Sequence, residues 1–328
     1  MSHITVTGGA GFIAYHLIQK LIDEGHTVTA FDNFNDYYDV DLKEDRANNL
    51  KNLGVEVTRL DLKEKEMLKL FFAANKPDAV IHLAAYAGVR HSLEEPQTYI
   101  DNNVTGTQNL IEACVDANVE NVIYASTSCT MAGNELPWKE DEKCGYQLNP
   151  YGYTKFTNEA QFMSSSIIRT VGLRFFTVYG PWGRPDMALF DFTKNIIAGK
   201  EIELFNYGDM IRDFTYIDDI VNGIVIVLNQ SLSQTEEFNE IYNIGYGEQV
   251  KLVDFVDHIE TNLDRKAKRK LVPIHPADTR ATWSDTTKLQ KLGYKPTVSI
   301  GKGVEKFISW YKLYYGVTNA LQNRCIIL

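Results

Sequence analysis

The chain has 328 residues, of which 44% are hydrophobic and 23% are charged, as is ordinary for a globular protein. This length favours two units, or one core with an annexe, over one small domain. No apolar run approaches the roughly 18 to 20 residues that a bilayer requires, and the net charge of −10 argues against a nucleic-acid-binding surface, so we expect neither a membrane nor a nucleic acid as partner.

Strand-like and helix-like segments alternate through the first half of the chain. Short apolar runs predict buried strands at 4–7, 27–31, 55–58, 79–83, 122–125 and 171–175. Segments with helical periodicity lie among them, at 12–23, 64–73 and 102–117. This alternation predicts an α/β fold with a Rossmann-type, doubly wound parallel sheet that helices cover on both faces.

The pattern changes after Phe176, where two prolines bracket a loop. The second half predicts a helix at 188–198, a strand at 201–205, a helix at 217–228, a loop at 229–239 and a strand at 241–244. No internal repeat or low-complexity linker separates the halves, so the second unit should pack on the first. We expect a Rossmann domain at 1–175, to which 213–246 returns, and a smaller mixed α/β domain formed by 176–212 and 247–328.

The segment from Gly8 to Ala14 lies between the first predicted strand and the first predicted helix. Its glycines allow a tight turn and the close approach of a pyrophosphate, whose charge is stabilised at the helix N-terminus. Asp32 ends the second predicted strand, where a carboxylate can accept hydrogen bonds from a ribose diol. No arginine follows Asp32 to receive a 2′-phosphate, so the sequence favours NAD over NADP. A strand, turn and helix without any ligand is the alternative.

Residues at the carboxyl ends of the neighbouring strands should complete this site, because open parallel sheets bind ligands at that edge. Asp61 and Leu62 are placed to flank the adenine, and Leu83 to Ala85 are placed to line the cofactor. The expected cofactor contacts are Gly8, Gly11, Phe12, Ile13, Asp32, Asn33, Asp61, Leu62, Leu83, Ala84, Ala85 and Asn102.

Tyr151 and Lys155 are four residues apart and share one face if their segment is helical. An ammonium beside a phenol favours the ionised phenol, so we expect Lys155 to lower a pKa that begins near about 10. Such a tyrosine is a general base at neutral pH. The fifth predicted strand runs into a hydroxyl cluster, Ser126 to Ser128, which either faces the ligand crevice or caps the next turn.

Taken together, these residues resemble the extended short-chain dehydrogenase/reductase superfamily. The resemblance implies that Thr127 hydrogen-bonds the substrate hydroxyl and that Tyr151 is the base. It also implies that Lys155 holds the nicotinamide ribose and tunes Tyr151.

Further segments, 174–188, 212–219 and 242–245, look like those of nucleotide-sugar epimerases that act on UDP-glucuronate. This resemblance implies epimerisation at C4, from UDP-glucuronate to UDP-galacturonate, through a transient 4-keto intermediate and tightly bound NAD. The second domain would then bind the UDP-sugar. The chain departs from the family pattern at Met131, at Cys129 and in a short 156–173 segment, which puts the shape of a loop and the rate in doubt.

The substrate's charges suggest further contacts. Arg212 is the best candidate for the UDP pyrophosphate, because a guanidinium can bind it bidentately, and Arg280 is a second. A surface salt bridge is the alternative for each. Hydroxyls at Thr127, Ser128 and Thr177 are placed to donate to the sugar carboxylate, and a cation could neutralise it. The candidates for that cation are Arg184 and Arg90.

Two other readings of the chemistry stay open. The first is a neighbouring enzyme, either a UDP-glucose or UDP-N-acetylglucosamine 4-epimerase or a UDP-glucuronate decarboxylase. Related decarboxylases and dehydratases place an acidic residue soon after the equivalent of Thr127, whereas this chain has Ser128 and Cys129 there. The second is a nucleotide-binding scaffold without activity, which the intact Thr127, Tyr151 and Lys155 oppose.

The remaining expectations concern location and assembly. Four cysteines without Cys-x-x-Cys spacing and no secretory leader favour a cytoplasmic protein without disulfides. Seven histidines without metal-ligand spacing predict no metal. The family resemblance implies a homodimer that pairs the helices near 102–117 and 151–166. The last four residues fit a prenylation box, from Cys325 to Leu328, which we interpret as a coincidence because no polybasic segment precedes it.

Overall fold

The computed structural model describes residues 1–317. The C-terminal tetrapeptide from Cys325 to Leu328 lies outside the described residues. No helix within residues 1–317 is long and apolar enough to cross a bilayer. The same range contains no cluster of three or more His, Cys, Asp or Glu side chains arranged to hold a metal ion, and the absence of a metal stays a prediction.

The strands begin with the alternating units that the sequence predicts. They are β1 (His3–Thr7), β2 (Thr27–Asp32), β3 (Val57–Arg59), β4 (Ala79–His82), β5 (Asn121–Thr127), β6 (Arg169–Phe175), β7 (Thr177–Tyr179), β8 (Glu201–Leu204), β9 (Ile211–Arg212), β10 (Phe214–Tyr216), β11 (Phe238–Ile244), β12 (Val250–Lys251) and β13 (Lys268–Leu271).

The helices lie between these strands. They are α1 (Phe12–Asp23), α2 (Val40–Asn52), α3 (Lys65–Asn75), α4 (His91–Glu94), α5 (Pro96–Tyr99), α6 (Gly106–Asp116), α7 (Pro150–Met163), α8 (Ala188–Ile197), α9 (Ile217–Leu232), α10 (Leu252–Leu263), α11 (Thr287–Gln290) and α12 (Ile300–Tyr314). A π-helical stretch, Ile100–Thr105, joins α5 to α6, and a 3₁₀ turn, Ser128–Met131, follows β5.

The main sheet is parallel and has seven strands in the order β11-β6-β5-β4-β1-β2-β3. Buried residues fill the central strands β1, β4, β5 and β6 almost continuously, since helices cover both faces of the sheet. The chain order reverses between β1 and β4, and ligands bind at such a switch point in open α/β sheets. The prediction of a Rossmann-type, doubly wound sheet is confirmed.

The predicted loop at 229–239 is wrong at both ends. Helix α9 continues to Leu232, and β11 begins at Phe238. Ser231 is buried, and its hydroxyl donates to the Asn121 side chain at 3.2 Å, so a residue that reads as polar surface is instead an inward-facing part of the helix. Polar composition alone therefore does not distinguish a loop from the polar end of a buried helix.

The second half of the chain packs directly on the sheet. Three short pairs form there: β7 with β10, β9 with β12, and β8 with β13. One hydrophobic core runs from Ile4 to Tyr311 through both halves. The buried carboxylate of Asp213 accepts hydrogen bonds from the amides of Tyr246, Gly247 and Ser284, which fixes the connection beside β10. The division into two domains stays a prediction.

Candidate active site

A cavity of about 320 Å³ opens at the carboxyl ends of the central strands. Every residue expected to contact the cofactor lines it, and so do Thr127, Tyr151 and Lys155. Residues from seven chain segments therefore meet at the switch point of the sheet. The predicted set is brought together, while the roles of its members stay proposals.

The glycine loop forms a close-fitting cradle at one end of this cavity. Gly8 has a φ of +70°, and a Cβ placed there would lie 2.9 Å from the backbone of Ala84. A Cβ on Gly11 would lie 2.8 Å from the carbonyl oxygen of Gly8. Side chains are thus excluded where the backbone must approach a ligand, as a pyrophosphate at the α1 N-terminus requires.

Asp32 lies beside this cradle and is buried. Its carboxylate accepts hydrogen bonds from the amides of Phe34 at 2.8 Å and Ala10 at 3.2 Å. Burial raises its pKa, and the nearby Lys43 ammonium and these two amides oppose that rise. A negative group that is already oriented by amides is suited to accept from a ribose diol.

Lys43 is a cavity residue that the sequence reasoning missed. It lies on α2, lines the cavity, and donates from Nζ to the carbonyl of Asn35 at 2.6 Å. Burial lowers its pKa to about 8, and the charge of Asp32 opposes this. Its position eleven residues after Asp32, on the next helix, carries no motif that would have identified it.

Helix α7 places Tyr151 and Lys155 on one face. Asn149 is the N-cap, because its side chain accepts from the amide of Gly152 at 2.8 Å, and Pro150 occupies the first turn. Lys155 is buried, and within residues 1–317 its Nζ has no hydrogen-bond partner. Burial lowers its pKa to about 7, with the Glu159 carboxylate opposing.

The expectation of a lowered pKa for Tyr151 is wrong for the protein without bound ligands. Burial raises the pKa of Tyr151 to about 12, and charge on Cys129 raises it further. The Thr127 hydroxyl and the Arg184 guanidinium oppose this rise but do not overcome it. The physical reason is that a buried phenolate loses more hydration than these neighbours replace.

These features fit a dinucleotide. The cradle excludes side chains, and Asp32 is oriented for a diol. The Nζ of Lys155 is a buried donor for which the described part of the chain provides no acceptor. An unpaired buried ammonium is costly, so an acceptor from a ligand would offset its burial.

The hydroxyl cluster both caps a turn and lines the cavity. The Oγ1 of Thr127 accepts from the amide of Cys129 at 3.2 Å and so caps the following 3₁₀ turn, as the capping alternative holds. Thr127 also lines the cavity, and Ser128 lines both this cavity and a larger neighbour. Met131 lies in neither cavity and instead contacts the buried guanidinium of Arg174.

The larger neighbouring cavity has a volume of about 780 Å³. Ser128, Thr177 and Arg184 line both cavities, so they form part of the boundary between the two. Arg90 and Arg212 line the larger cavity but not the smaller one. Most of the predicted substrate residues therefore surround one space next to Tyr151.

Arg280 does not belong to this set. Its side chain is exposed and forms an ion pair with Asp209 at 2.7 Å, and it lines neither cavity. Only its backbone takes part, because its carbonyl accepts from the amide of Ile211 and from the guanidinium of Arg212. The surface-salt-bridge alternative holds for Arg280.

Two arginines of the larger cavity have different surroundings. Within the described residues, Arg212 donates only to carbonyls, at 2.8 Å to Ile211 and 3.2 Å to Arg280. Burial lowers its pKa, and the charge of Asp278 opposes this. Arg90 forms an ion pair with Asp278 at 2.8 Å, and its guanidinium lies 3.7 Å from the ring centre of Phe205. Among these two, Arg212 retains the larger capacity for an anionic ligand.

Arg184 is held by Asp186. Its Nε donates to the carboxylate at 3.0 Å, and a second nitrogen donates to the other oxygen. The Tyr37 hydroxyl donates to the same carboxylate at 3.0 Å. Burial would lower the pKa of Arg184, but the charge of Asp186 raises it overall. A substrate carboxylate can therefore bind Arg184 only by sharing it with Asp186 or displacing that residue.

The chain is similar to proteins of known activity over nearly its whole length. A family model described as the NAD dependent epimerase/dehydratase family matches residues 4–245. The UDP-glucuronate 4-epimerase of Thermodesulfobacterium geofontis is 41% identical over 320 residues, which cover 95% of this chain and 97% of that protein.

Solved structures give the same relationship. The UDP-glucuronic acid 4-epimerase of Bacillus cereus, in complex with UDP-glucuronic acid and NAD, matches with a TM-score of 0.88 and 34% identity, covering 95% of this chain and 100% of that one. A UDP-glucose 4-epimerase of Thermotoga maritima, with UDP-glucose, matches with a TM-score of 0.85 and 26% identity, covering 95% and 99%.

Proposed function

The chain belongs to the NAD-dependent epimerase/dehydratase family, and from this premise we propose that it interconverts UDP-glucuronate and UDP-galacturonate by inverting C4. One observation carries the proposal. Tyr151 lies in the dinucleotide cavity, and Ser128, Thr177 and Arg184 are among the residues that line both this cavity and the larger one. A sugar bound there places its reacting carbon between the tyrosine and the cofactor site.

NAD is the cofactor of this reaction. The glycine loop would hold its pyrophosphate, Asp32 its adenosine ribose, and the unpaired Nζ of Lys155 its nicotinamide ribose. When bound, NAD would accept a hydride from the sugar and return it to the opposite face of the sugar. The chain's own residues supply the proton transfers and the orientation.

Tyr151 moves the proton at the sugar 4-hydroxyl. It takes that proton as the sugar is oxidised to the 4-keto form and returns it after the sugar has turned over. With a pKa of about 12 among the protein groups alone, Tyr151 needs added positive charge to act as a base near neutrality. Lys155 supplies that charge once a bound acceptor offsets its burial, and Thr127 orients the hydroxyl.

The substrate carboxylate sets the second task of the site. A 4-keto uronic acid is a β-keto acid, which loses CO₂ when its carboxylate bond aligns with the carbonyl π system. Ser128 and Thr177 would hold the carboxylate out of that alignment, and Arg184 would neutralise it; their position at both cavities supports these roles. Within the described residues, the carboxylate nearest the hydroxyl cluster, Glu159, is paired with Arg174, so it is not free to assist decarboxylation.

Proton NMR of the purified protein with UDP-glucuronate tests the function. A C4-inverted hexuronate that retains C6 is the expected product, and UDP-galacturonate as the starting material should give the same mixture. A UDP-pentose would show decarboxylation instead. Turnover of UDP-glucose but not of UDP-glucuronate would show a neutral-hexose epimerase, and binding without any product would show an inactive scaffold.

The assembly and location extend this proposal. A homodimer would pair α6 with α7, and the exposed apolar side chains on these helices, at Val115, Phe156 and Met163, support it. Light scattering of the purified protein should give twice the mass of one chain, and the mass of one chain would overturn the dimer. Within residues 1–317, Cys114, Cys129 and Cys144 form no disulfide, which supports a reducing, cytoplasmic location.

A further inference from the structure

Arg46 connects the cofactor loop to the substrate loop through one buried guanidinium. It lies on α2 and is 0% exposed. One terminal nitrogen donates to the carbonyl of Ala10 at 3.0 Å and to the Tyr38 hydroxyl at 2.8 Å. The other terminal nitrogen donates to the carbonyl of Trp182 at 2.6 Å. None of the functions proposed above uses this residue.

On the cofactor side, Arg46 reaches the centre of the glycine cradle. The amide of Ala10 donates to Asp32 at 3.2 Å, while its carbonyl accepts from Arg46. A shift of this one residue therefore moves both the loop that would hold the pyrophosphate and a hydrogen bond of the acid that would hold the ribose. Arg46 limits that shift without entering the cavity itself.

On the substrate side, Arg46 holds the loop that carries Arg184. Trp182 has a φ of +62°, a left-handed backbone that a bulky residue adopts only when its surroundings enforce it. The hydrogen bond from Arg46 is part of that enforcement, and the rings of Tyr15, Trp310 and Tyr314 pack around the indole. Two residues later, Arg184 lines both cavities.

His16 holds the same loop but not the glycine cradle. Its Nε2 lies 2.9 Å from the carbonyl of Pro181, and burial lowers its pKa to about 4, so the ring is neutral and Nε2 carries the donated proton. The ring makes no hydrogen bond to residues 8–11 within the part of the chain that the structure describes. His16 thus offers a matched control for Arg46.

We propose that Arg46 is a positioning residue that couples the two sites, so that a bound UDP-sugar strengthens NAD retention and bound NAD strengthens sugar binding. The inference rests on the proposed function, because it assumes that these two ligands share the site. Each ligand orders a loop that Arg46 ties to the other loop. The ligand that binds second then has less motion to remove, and such coupling is reciprocal.

The experiment measures the rate at which NAD is lost, with and without UDP-glucuronate. All proteins carry Tyr151→Phe, so that the sugar is bound but not turned over. In the parent, UDP-glucuronate should slow NAD loss by at least about fivefold. In Arg46→Met, which keeps the length of the side chain but no donor, the slowing should fall below about twofold. In Arg46→Lys, which keeps the charge but has one nitrogen for two carbonyls, it should also fall.

The control separates coupling from simple loosening. His16→Ala removes a hydrogen bond to the substrate loop and none to the glycine cradle, although the ring also packs against Phe12. NAD loss without sugar should therefore stay close to the parental rate in His16→Ala, whereas Arg46→Met should accelerate it. If Arg46 is only a structural residue, its variants unfold at lower temperature but keep the full slowing by UDP-glucuronate. That result, in Arg46→Met or in Arg46→Lys should the first not fold, overturns the proposal.

The outcome is distinguishable from failure of the proposed function. Product formation by the chain with native Tyr151 is scored separately by NMR. Turnover without any slowing of NAD loss in the parent would overturn the coupling and leave the epimerase. Slowing that depends on Arg46, without any product, would leave the coupling and overturn the epimerase.

Discussion

Lys155 and Glu159 lie one helical turn apart on α7 and are both buried, but among residues 1–317 only Glu159 has a charged partner in an ion pair. Its carboxylate accepts from Arg174 at 2.9 Å through each oxygen and from the Ser126 hydroxyl at 2.5 Å. Lys155 keeps an unpartnered ammonium toward the cavity, and burial brings its pKa to about 7 although Glu159 opposes. The fold thus buries a cationic side chain without a described partner at the point where the cofactor would bind.

Replacing Lys155 should stabilise the chain in the absence of ligands. Its pKa is about 7 in the folded protein against 10.5 when unfolded, so below pH 7 the folded state carries the full cost of a buried ammonium. Between pH 7 and 10.5 the unfolded state binds the extra proton, and the stability of the native chain rises by up to about 1.4 kcal/mol per pH unit. Lys155→Met removes the cost.

The measurement is urea unfolding of Lys155→Met and the native chain from pH 6 to 10. The variant should be more stable by several kcal/mol at pH 7, and its advantage should shrink toward pH 10. The difference between the two proteins cancels the other titrating groups. An advantage that does not change with pH would show that the lysine is not the titrating group.

Replacing one member of the ion pair between Glu159 and Arg174 should destabilise the chain, in contrast to replacing Lys155. Removing one member leaves the other charge buried and unpaired, so Glu159→Gln should lower the free energy of unfolding by about 3–5 kcal/mol. Glu159→Leu combined with Arg174→Met should recover most of that loss. Urea unfolding measures both.

The control for this pair is an exposed ion pair, Lys302 with Glu305, whose side chains are more than half accessible. Glu305→Gln should change the free energy of unfolding by less than about 1 kcal/mol. Equal effects of Glu159→Gln and Glu305→Gln would contradict the assignment of Glu159 to a buried pair.

The sequence predicted the sheet well because its signals are local. Short apolar runs were enough to place all seven of its strands, and helical periodicity placed α1. The glycine loop and Asp32 fall where the strand ends predict. The prediction of a loop at 229–239 was wrong at both ends because composition does not show whether a side chain faces the core or the solvent. Ser231 is polar, but it faces inward to Asn121, and only the three-dimensional packing reveals that partner.

The site was harder to predict where function depends on burial or on distant partners. Arg212 and Arg280 both lie in the second half of the chain and look alike in sequence. Arg212 lines a cavity, whereas Arg280 forms an ion pair with Asp209 at the surface. The spacing of Tyr151 and Lys155 predicted their shared face correctly but the wrong direction for the tyrosine pKa, because spacing contains no information on desolvation. Lys43 and Arg46 lie on a helix without any motif.

Asp32 should determine the choice of cofactor. Asp32→Ala removes the acceptor for a ribose diol, so NAD should be lost faster on gel filtration, and adding Asn33→Arg should permit binding of NADP, which the native chain should reject. Asp36→Ala is the control, because Asp36 is exposed and does not line the cavity. Unchanged NAD retention in Asp32→Ala would contradict the assigned role.

Tyr151 should be required for chemistry but not for binding. Tyr151→Phe removes the transferable proton and should lower kcat by about 10²- to 10⁴-fold, with little change in NAD retained per chain. Tyr153→Phe is the matched control, since Tyr153 lies on the same helix but lines neither cavity. Rates come from NMR of the UDP-glucuronate mixture. Comparable losses in the two variants would show that the helix, rather than the hydroxyl, is responsible.

Arg212 and Arg280 provide the clearest test of the substrate cavity. Arg212→Ala should raise KM for UDP-glucuronate by about 10- to 100-fold, because a charge-assisted bond to a phosphate is typically worth about 1.5–3 kcal/mol. The effect on kcat should be smaller, since the pyrophosphate is not altered during the reaction. Arg280→Ala removes only an exposed ion pair and leaves the carbonyl that accepts from Arg212, so KM should change less than about twofold. The reverse order of effects would place the pyrophosphate outside the cavity of about 780 Å³.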